Sequence, residues 1–262
     1  MNVGWIGLGQ IGEPMALRVL AAGHVVTGHS RPGHDRSALV EAGARITSSL
    51  QEAVAGADVV IAALFDDAQM RQVFLEHGAL AAMKPGAVLA VHTTGEPAAL
   101  QELAEAAGPV QVVDATFSGT AEDAARGGVR LFVGGDPDAI RRTRAVTDAY
   151  CGQVFDLGAL GAARRLKLVN NFLFAAHCSL AMEAIGALEA LGVDADRGLA
   201  ALRAASGSSF ALDNFAGRPM DKTLDMLTRF LDKDADAARS AAKAEGVDMP
   251  LISAAAARWG NP

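Results

Sequence analysis

The sequence predicts an α/β fold in which a mostly parallel sheet, covered by helices, is followed by a long interdomain helix and a smaller all-α domain. Short β-rich segments alternate with helical stretches up to about residue 157, which is typical of a parallel sheet. A glycine-rich turn follows the first of these segments. After Gly161 the β-rich segments stop, and an Ala-rich helical composition takes over.

In the first part of the chain, the predicted strands are short apolar segments that end at turn residues. They span residues 2–7, 25–29, 58–64, 87–92, 111–115, 130–133 and 153–156. The predicted helices between them have a helix-forming composition with turn residues at their ends. They span residues 11–22, 51–55, 67–74, 98–107 and 137–150.

The second part begins with a long stretch, residues 162–191, that has no Pro and has no Gly before Gly186. This stretch is apolar on nearly all sides, which predicts a long helix buried between two bodies. Residues 195–204, 222–244 and 251–257 are also helical in composition. We therefore predict a sheet-containing domain at residues 1–161 and an all-α domain at residues 162–262.

The composition argues against two classes of partner. Of the 262 residues, 51% are apolar, which is ample for a large core. The net charge is −7, and no basic block is present, so we expect no nucleic-acid partner. The apolar runs are shorter than the ~20 residues that a membrane-spanning helix needs, so we expect no membrane partner.

The cysteines, the histidines and the N-terminal residues give no sign of a disulfide framework, a metal site or export. Cys151 and Cys178 are far apart in the sequence, and the histidines lack the spacing of metal ligands. No basic residue precedes Arg18, and no small-residue cleavage site follows. We expect a cytoplasmic protein without a metal.

The segment Gly7-Leu8-Gly9-Gln10-Ile11-Gly12 follows a predicted strand and begins a predicted helix. In this context the pattern is typical of a dinucleotide-binding Rossmann domain. The first Gly permits a tight turn, the second lets the pyrophosphate approach the backbone, and the third lets the helix pack closely on the strand. The helix N-terminus then directs N–H groups at the phosphates. We expect this segment to bind the cofactor.

The residues after the second predicted strand indicate which dinucleotide is preferred. An acidic residue about 20 positions after the glycine motif would bind the ribose 2′-OH of NAD. Ser30 stands near that position, and Arg31 follows it. Their donors and positive charge suit the 2′-phosphate of NADP. We therefore expect NADP(H) to be favoured over NAD(H), with Asp35 close enough to leave NAD open.

Further candidates lie where predicted strands end, because ligands of open α/β sheets bind at the carboxyl ends of the strands. Leu64, Phe65 and Thr94 are candidates to line the cofactor, and each is equally consistent with a strand end or a helix cap. In the turn at residues 114–120, backbone N–H groups and the hydroxyls of Ser118 and Thr120 are suited to a carboxylate. An ordinary turn explains this segment equally well.

Lys167 and Asn171 lie four residues apart on the long predicted helix, so they project from one face. A lysine on such an apolar helix is costly unless it has a partner or a function, since burial disfavours the ammonium. A lysine whose head reaches solvent from the helix edge is the alternative. The pair is therefore a candidate site.

Residues 7–15, 93–97, 114–120, 158–171 and 231–234 resemble, in order, the successive motifs of the β-hydroxyacid dehydrogenases. The resemblance covers nearly the whole chain. It implies an NAD(P)-dependent oxidoreductase that interconverts a small β-hydroxy acid with its semialdehyde or keto form by hydride transfer.

The resemblance also implies roles for single residues. Lys167 would be the catalytic acid and base, and Asn171 would help to hold the substrate. Lys233 would lie near the nicotinamide and be oriented by Asp234. The implied substrate contacts are Ser118, Gly119, Thr120 and Phe210, the last of which is equally consistent with a core residue.

The turn at residues 114–120 departs from the family pattern. Thr116, Phe117 and Thr120 stand where the family usually has Pro, Val and Gly, which alters the acid-binding turn and leaves the substrate open. One alternative is an imine or non-carboxylated aldehyde reductase. A second is a non-catalytic NADP-binding sensor, although Lys167 and Asn171 argue against it. The apolar all-α domain further predicts a homodimer or a dimer of dimers.

Overall fold

The computed structural model describes residues 1–217 and 220–260. The chain divides into two compact units, Met1–Lys167 and Leu168–Pro262, which we name the first and the second unit. The first unit contains the sheets and the helices that cover them. The second unit is helical in the residues described.

The strands of the first unit form two sheets. Their bounds are β1 (Asn2–Ile6), β2 (Val25–His29), β3 (Arg45–Thr47), β4 (Val59–Ala62), β5 (Val88–Val91), β6 (Gln111–Asp114), β7 (Phe117–Ser118), β8 (Val129–Val133) and β9 (Cys151–Asp156). The first six form a parallel sheet in the order β3-β2-β1-β4-β5-β6. This confirms the predicted α/β class. The strand order reverses between β1 and β4, and ligands of such sheets bind outside the carboxyl ends at this point.

Two features of the sheets differ from the prediction. The sequence does not predict β3 or β7, because these strands have only three and two residues and neither is an apolar run. The predicted strands β8 and β9 belong to a second, three-stranded sheet, in which β7 pairs antiparallel with β8 and β8 pairs parallel with β9. An isolated bridge between Asp114 and Gly134 connects this small sheet to the end of β6.

Twelve α-helices lie in the described ranges. Their bounds are α1 (Gly12–Ala21), α2 (Ser37–Glu41), α3 (Leu50–Val54), α4 (Asp67–Arg71), α5 (Pro97–Ala106), α6 (Ala121–Arg126), α7 (Pro137–Thr147), α8 (Ala162–Ala190), α9 (Ala195–Ala204), α10 (Phe210–Phe215), α11 (Met220–Glu245) and α12 (Pro250–Ala255). A π-helical turn, Gln72–Glu76, continues α4. Side chains such as Asp66 and Asp136 accept the first N–H groups of α4 and α7, which explains why these helices begin there.

The large sheet has an apolar core on each face. Along β1, Trp5 is buried in one core and Ile6 in the other, because successive side chains of a strand point to opposite faces. Strand β4 alternates in the same way, with Ile61 on the first face and Val60 on the second. Both faces of the central strands are therefore covered, as is typical of parallel sheets.

The second unit packs one face of α8 against α11 and the shorter helices. Phe172 and Ala175 of α8 and Leu231 of α11 belong to its core. Trp259 closes this core, and its indole N–H donates to the Ala175 carbonyl at 2.9 Å. By length and composition α8 is able to cross a membrane, but the core helix of a water-soluble protein passes the same test.

Another face of α8 carries exposed apolar side chains. Val169, Leu173 and Leu180 are each at least 40% exposed within the structure. The prediction that α8 is buried on nearly all sides is therefore not met within a single chain. An exposed apolar face of this kind is typical of surfaces that meet another body, and the expected homodimer stays a prediction.

Candidate functional site

The glycine turn between β1 and α1 combines three distinct backbone environments. Gly7 has φ +103°, and a Cβ built on it would lie 2.2 Å from the Ala63 carbonyl oxygen. A Cβ on Gly12 would lie 2.1 Å from the Gly7 carbonyl oxygen. Around Gly9, by contrast, a Cβ would meet nothing within 4 Å. Gly7 and Gly12 are thus required by the fold, whereas Gly9 faces open space.

This turn fits the pyrophosphate of a dinucleotide. The backbone at Gly9 is exposed, and the ten-residue helix α1 begins three residues later. Among its first three residues, the Glu13 N–H already donates to the Gly9 carbonyl at 3.0 Å and Pro14 has no N–H, which leaves the N–H of Gly12 for a phosphate. Leu8 points the other way and is buried in the core. Gln10 is exposed, and Ile11 precedes the first helical residue. The predicted segment therefore places exposed backbone beside a helix N-terminus.

The end of β2 presents one cationic side chain to solvent. Arg31 is exposed and makes no ion pair with any residue in the described ranges. The neighbouring Ser30 is held by its N–H, which donates to the Thr47 carbonyl at 2.9 Å. Arg36 is already bound to the Glu13 carboxylate at 2.6 Å, and the Asp35 carboxylate accepts the Ser37 N–H at 2.9 Å. Arg31 is therefore the cation best suited to an added phosphate.

The loops after β4 and β5 are tied to each other. The Leu64 N–H donates to the Thr93 hydroxyl at 3.0 Å, and the Phe65 N–H donates to the Gln69 side chain at 3.3 Å. The Phe65 ring is 43% exposed, and Thr94 is half-buried. The three predicted cofactor-lining residues, Leu64, Phe65 and Thr94, thus lie at the carboxyl ends of two adjacent central strands.

The turn after β6 uses its two threonines for structure. The buried Thr116 hydroxyl donates to the Ala163 carbonyl at 3.2 Å. The Thr120 N–H donates to the Asp123 carboxylate at 2.8 Å, and the Asp123 N–H donates to the Thr120 hydroxyl at 3.2 Å, which completes a capping box at α6. The predicted substrate contact by the Thr120 hydroxyl is therefore weakened. The Ser118 hydroxyl has no partner in the described ranges, so Ser118 and Gly119 stay the candidates for the predicted carboxylate contact.

The first turn of α8 rests on the end of β6. The Arg164 N–H donates to the Asp114 carboxylate at 2.7 Å. Together with the Thr116 contact to Ala163, this bond holds the residues that precede Ser118 against the turn that precedes Lys167. Lys167 is half-buried and follows Arg164 by three residues. The turn after β6 and the turn of α8 that precedes Lys167 are thus anchored to each other through two hydrogen bonds.

One further residue of this region, Arg164, is not singled out by the sequence. Arg164 is 1% exposed, and its guanidinium donates to the Asp67 carboxylate and to the Glu96 carbonyl, both at 2.8 Å. Like Lys167, Arg164 is a cation on an apolar helix and therefore needs a partner. Its partners lie in distant loops, so no local pattern indicates them.

Burial raises the pKa of Asp114 to about 6, although the Arg164 N–H and the Arg164 charge lower it. One of its carboxylate oxygens is buried without a hydrogen-bond donor. Since the folded protein binds the proton more tightly than the unfolded chain, this group contributes stability at low pH that is lost as the pH rises through about 6.

The Asn side chain of Asp114→Asn does not titrate. We therefore expect the free energy of unfolding of this variant to increase relative to that of the wild type as the pH rises from 4 to 7. The difference between a pKa of about 6 and the ordinary value of 3.8 corresponds to about 3 kcal/mol. Urea unfolding of both proteins at several pH values measures this difference. His92, whose pKa burial lowers to about 4, contributes equally to both proteins and cancels. A difference that stays constant with pH would contradict the assignment.

In the second unit, the Asn171 side chain donates to the Asp234 carboxylate at 2.7 Å and accepts from Asn170 at 3.0 Å. Asn171 is buried, and Lys233, next to Asp234, is half-buried. This pair fixes the segment of α11 that carries Lys233.

Phe210 is 71% exposed, and its ring centre lies 5.9 Å from that of Phe174. Phe174 follows Asn171 by three residues, so it lies on the same side of α8. Phe210 is therefore not a core residue of the isolated unit, which leaves it available to line a pocket.

Within residues 1–217 and 220–260, no three His, Cys, Asp or Glu side chains are grouped to hold a metal ion.

Comparisons with known proteins cover both units. Residues 2–158 match a family model described as the NAD binding domain of 6-phosphogluconate dehydrogenase. Residues 161–261 match one described as NAD-binding of NADP-dependent 3-hydroxyisobutyrate dehydrogenase.

Individual relatives agree with these families. A probable 3-hydroxyisobutyrate dehydrogenase of Mycobacterium bovis is 31% identical, over 97% of this chain and 90% of its own. An NAD-dependent L-serine dehydrogenase of Pseudomonas aeruginosa is also 31% identical, over 97% and 89%. The solved structure of Mycobacterium tuberculosis 3-hydroxyisobutyrate dehydrogenase with L-serine has a TM-score of 0.86 at 29% identity and covers 98% of this chain and 91% of its own. The resemblance inferred from the motifs is thus confirmed: the chain belongs to the β-hydroxyacid dehydrogenase family and is an oxidoreductase that binds a nicotinamide dinucleotide.

Proposed function

We propose that this chain is an NADP(H)-preferring dehydrogenase that interconverts a small 3-hydroxy acid and its semialdehyde or 3-oxo form. One observation carries the proposal. The turn with Ser118 and Gly119 and the helix turn that precedes Lys167 are held together by the Thr116 and Asp114 hydrogen bonds. This arrangement supports a carboxylate site next to a proton donor, which is what a substrate with an acid group and a carbonyl group requires.

The residues of this chain then have the following roles. The glycine turn and the N-terminus of α1 hold the dinucleotide, which supplies the hydride when it is bound. Ser118 and Gly119 bind the substrate carboxylate through a hydroxyl and a backbone N–H. The Lys167 ammonium donates a proton to the carbonyl oxygen as the carbonyl carbon is reduced, and the neutral amine accepts that proton in the reverse direction. Asn171 and Lys233 support the substrate and the cofactor.

Two relatives bear names that fit a 3-hydroxy acid, since 3-hydroxyisobutyrate and L-serine both carry a carboxylate and a hydroxyl on the third carbon. Phe117 departs from the family pattern and packs edge-on against the buried His92 ring at 5.7 Å. The Phe117 ring is therefore directed into the fold, and the proposed carboxylate contacts are those of Ser118 and Gly119.

A panel of 3-oxo acids, non-carboxylated aldehydes and cyclic imines tests this choice of substrate. Turnover confined to the imines or the non-carboxylated aldehydes would contradict it.

The preference for NADP(H) rests on Arg31, the exposed cation at the end of β2. A guanidinium binds a phosphate through two parallel hydrogen bonds and offers no comparable contact to a ribose hydroxyl. Asp35, which would favour NAD, is engaged by the Ser37 N–H. The L-serine dehydrogenase relative is NAD-dependent, so the preference has to be measured for this chain.

We expect Arg31→Ala to raise the Kd of NADPH by about 10- to 100-fold, because a hydrogen-bonded charge contributes about 1.5–3 kcal/mol. The Kd of NADH should change less than threefold. Fluorescence titration of both cofactors gives these values. Arg45→Ala is the matched control, since Arg45 is an exposed arginine on β3 that is paired with Glu52 at 3.0 Å. Equal affinity of the wild type for NADH and NADPH would argue against the preference.

A further inference from the structure

Arg164 is a fully buried arginine whose partners come from three strand ends. Its guanidinium binds the Asp67 carboxylate at 2.8 Å, at the end of the β4 loop. It also binds the Glu96 carbonyl at 2.8 Å, in the β5 loop. Its own N–H donates to Asp114 at the end of β6. Removing a cation from water carries a large penalty, so these contacts have to be maintained together.

The Asp67 carboxylate is the centre of this arrangement. It accepts the Glu96 N–H at 2.7 Å in addition to the Arg164 guanidinium. The β5 loop wraps so closely around it that a Cβ on Gly95 would lie 2.1 Å from both carboxylate oxygens. Only a glycine fits there without displacing the ion pair. The loops after β4 and β5 are therefore bound to the first turn of α8 by one part-buried ion pair.

These same loops carry the residues assigned to the cofactor. Leu64 and Phe65 precede Asp67 in the β4 loop, and Thr94 precedes Glu96 in the β5 loop. Lys167 follows Arg164 by about one helical turn, since an α-helix has 3.6 residues per turn. The ion pair thus connects the backbone that lines the dinucleotide with the backbone that carries the proton donor.

We propose that Arg164 is a positioning residue for the reaction, which fixes Lys167 relative to the cofactor loops through Asp67 and Glu96. The inference rests on the proposed function, because it assigns Arg164 an effect that is exerted through Lys167. Arg164 itself makes no contact with the reacting atoms in this assignment. A small misplacement of a reacting group reduces the rate by as much as about 100-fold, so the effect is measurable.

The test compares three variants, Asp67→Asn, Arg164→Lys and Arg164→Met. Asp67→Asn keeps the size of the side chain but leaves one acceptor oxygen in place of two, so it removes the charge and one hydrogen bond and remains informative even if Arg164→Met folds poorly. We expect Asp67→Asn and Arg164→Met to lower the single-turnover rate of hydride transfer, per NADPH-binding site, by about 10- to 100-fold. The Kd of NADPH should stay within about threefold, and Arg164→Lys should recover part of the rate.

A merely structural role predicts a different result, namely lower thermal stability with an unchanged rate per NADPH-binding site. Arg71→Met is the matched control, because Arg71 makes an exposed ion pair with Glu102 that also connects α4 to α5. We expect this variant to keep the full rate.

A double variant separates the inference from the proposed function. If Arg164 acts through Lys167, Arg164→Met should add little to the loss already caused by Lys167→Ala, since residues that act as a unit are not additive. Full additivity, or variants that keep the wild-type rate, would overturn the inference and leave the proposed function intact. A wild-type chain that binds NADPH and reduces no carboxylated carbonyl compound would overturn both.

Discussion

Lys167→Ala is expected to reduce kcat by about 1,000-fold, because general acid catalysis by a positioned side chain contributes about 10²- to 10⁴-fold. The Kd of NADPH should change less than threefold, since Lys167 donates to the substrate oxygen and not to the dinucleotide. Steady-state kinetics and fluorescence titration of the same preparations measure both quantities.

Lys243→Ala is the control for this prediction, because Lys243 is an exposed lysine in the last turn of α11. It should retain the wild-type kcat. If Lys167→Ala keeps a tenth or more of the activity, another group donates the proton. If both variants and the wild type bind NADPH and none of them turns over, the chain is a sensor of the dinucleotide.

The second large effect is expected at the glycine turn, where Gly9→Ala should weaken cofactor binding and Gly12→Ala should destabilise the fold. Gly9→Ala places a methyl group in open space, so the fold should keep its stability. The same methyl group blocks the approach of the pyrophosphate to the backbone, and we expect the Kd of NADPH to rise by about 10- to 100-fold.

Gly12→Ala is expected to damage the fold itself. Its Cβ would lie 2.1 Å from the backbone oxygen of Gly7, which belongs to the same tight turn. Overpacking of this kind destabilises by about 1–3 kcal/mol, and occasionally by more. Gly186→Ala on α8 is the matched control, since nothing lies within 4 Å of its Cβ and the change should stabilise slightly. Thermal melts with and without NADPH compare the three variants. Gly9→Ala melting as low as Gly12→Ala would contradict the assigned roles.

The glycine turn was predictable because Gly7 and Gly12 meet steric limits of the backbone that follow from a local strand, turn and helix. The central strands were predictable for a similar reason, since β4 and β5 are buried on both faces and read as continuous apolar runs. Strand β3 is short and carries an exposed Arg45, so its pairing with β2 is decided by tertiary contacts.

The capping box at Thr120 and Asp123 has a local signature, a threonine followed three residues later by an acidic side chain, and this signature indicates the start of α6. It also explains why a hydroxyl that was expected to bind substrate is engaged elsewhere. The Arg164 ion pair has no such signature. Its partner, Asp67, is 97 residues away in the sequence, and the two are brought together only when β4, β5 and the start of α8 assemble.

The most direct test of the proposed function is the fate of deuterium from NADPH that carries two deuterium atoms at C4 of the nicotinamide, so that the transferred hydride is labelled whichever face delivers it. The wild type is incubated with a 3-oxo acid or semialdehyde, and the products are analysed by mass spectrometry and NMR. We expect one deuterium on the third carbon of the resulting 3-hydroxy acid, and about 1,000-fold slower incorporation with Lys167→Ala. Label that appears only in the amine formed from a cyclic imine, or in no product at all, would contradict the proposal.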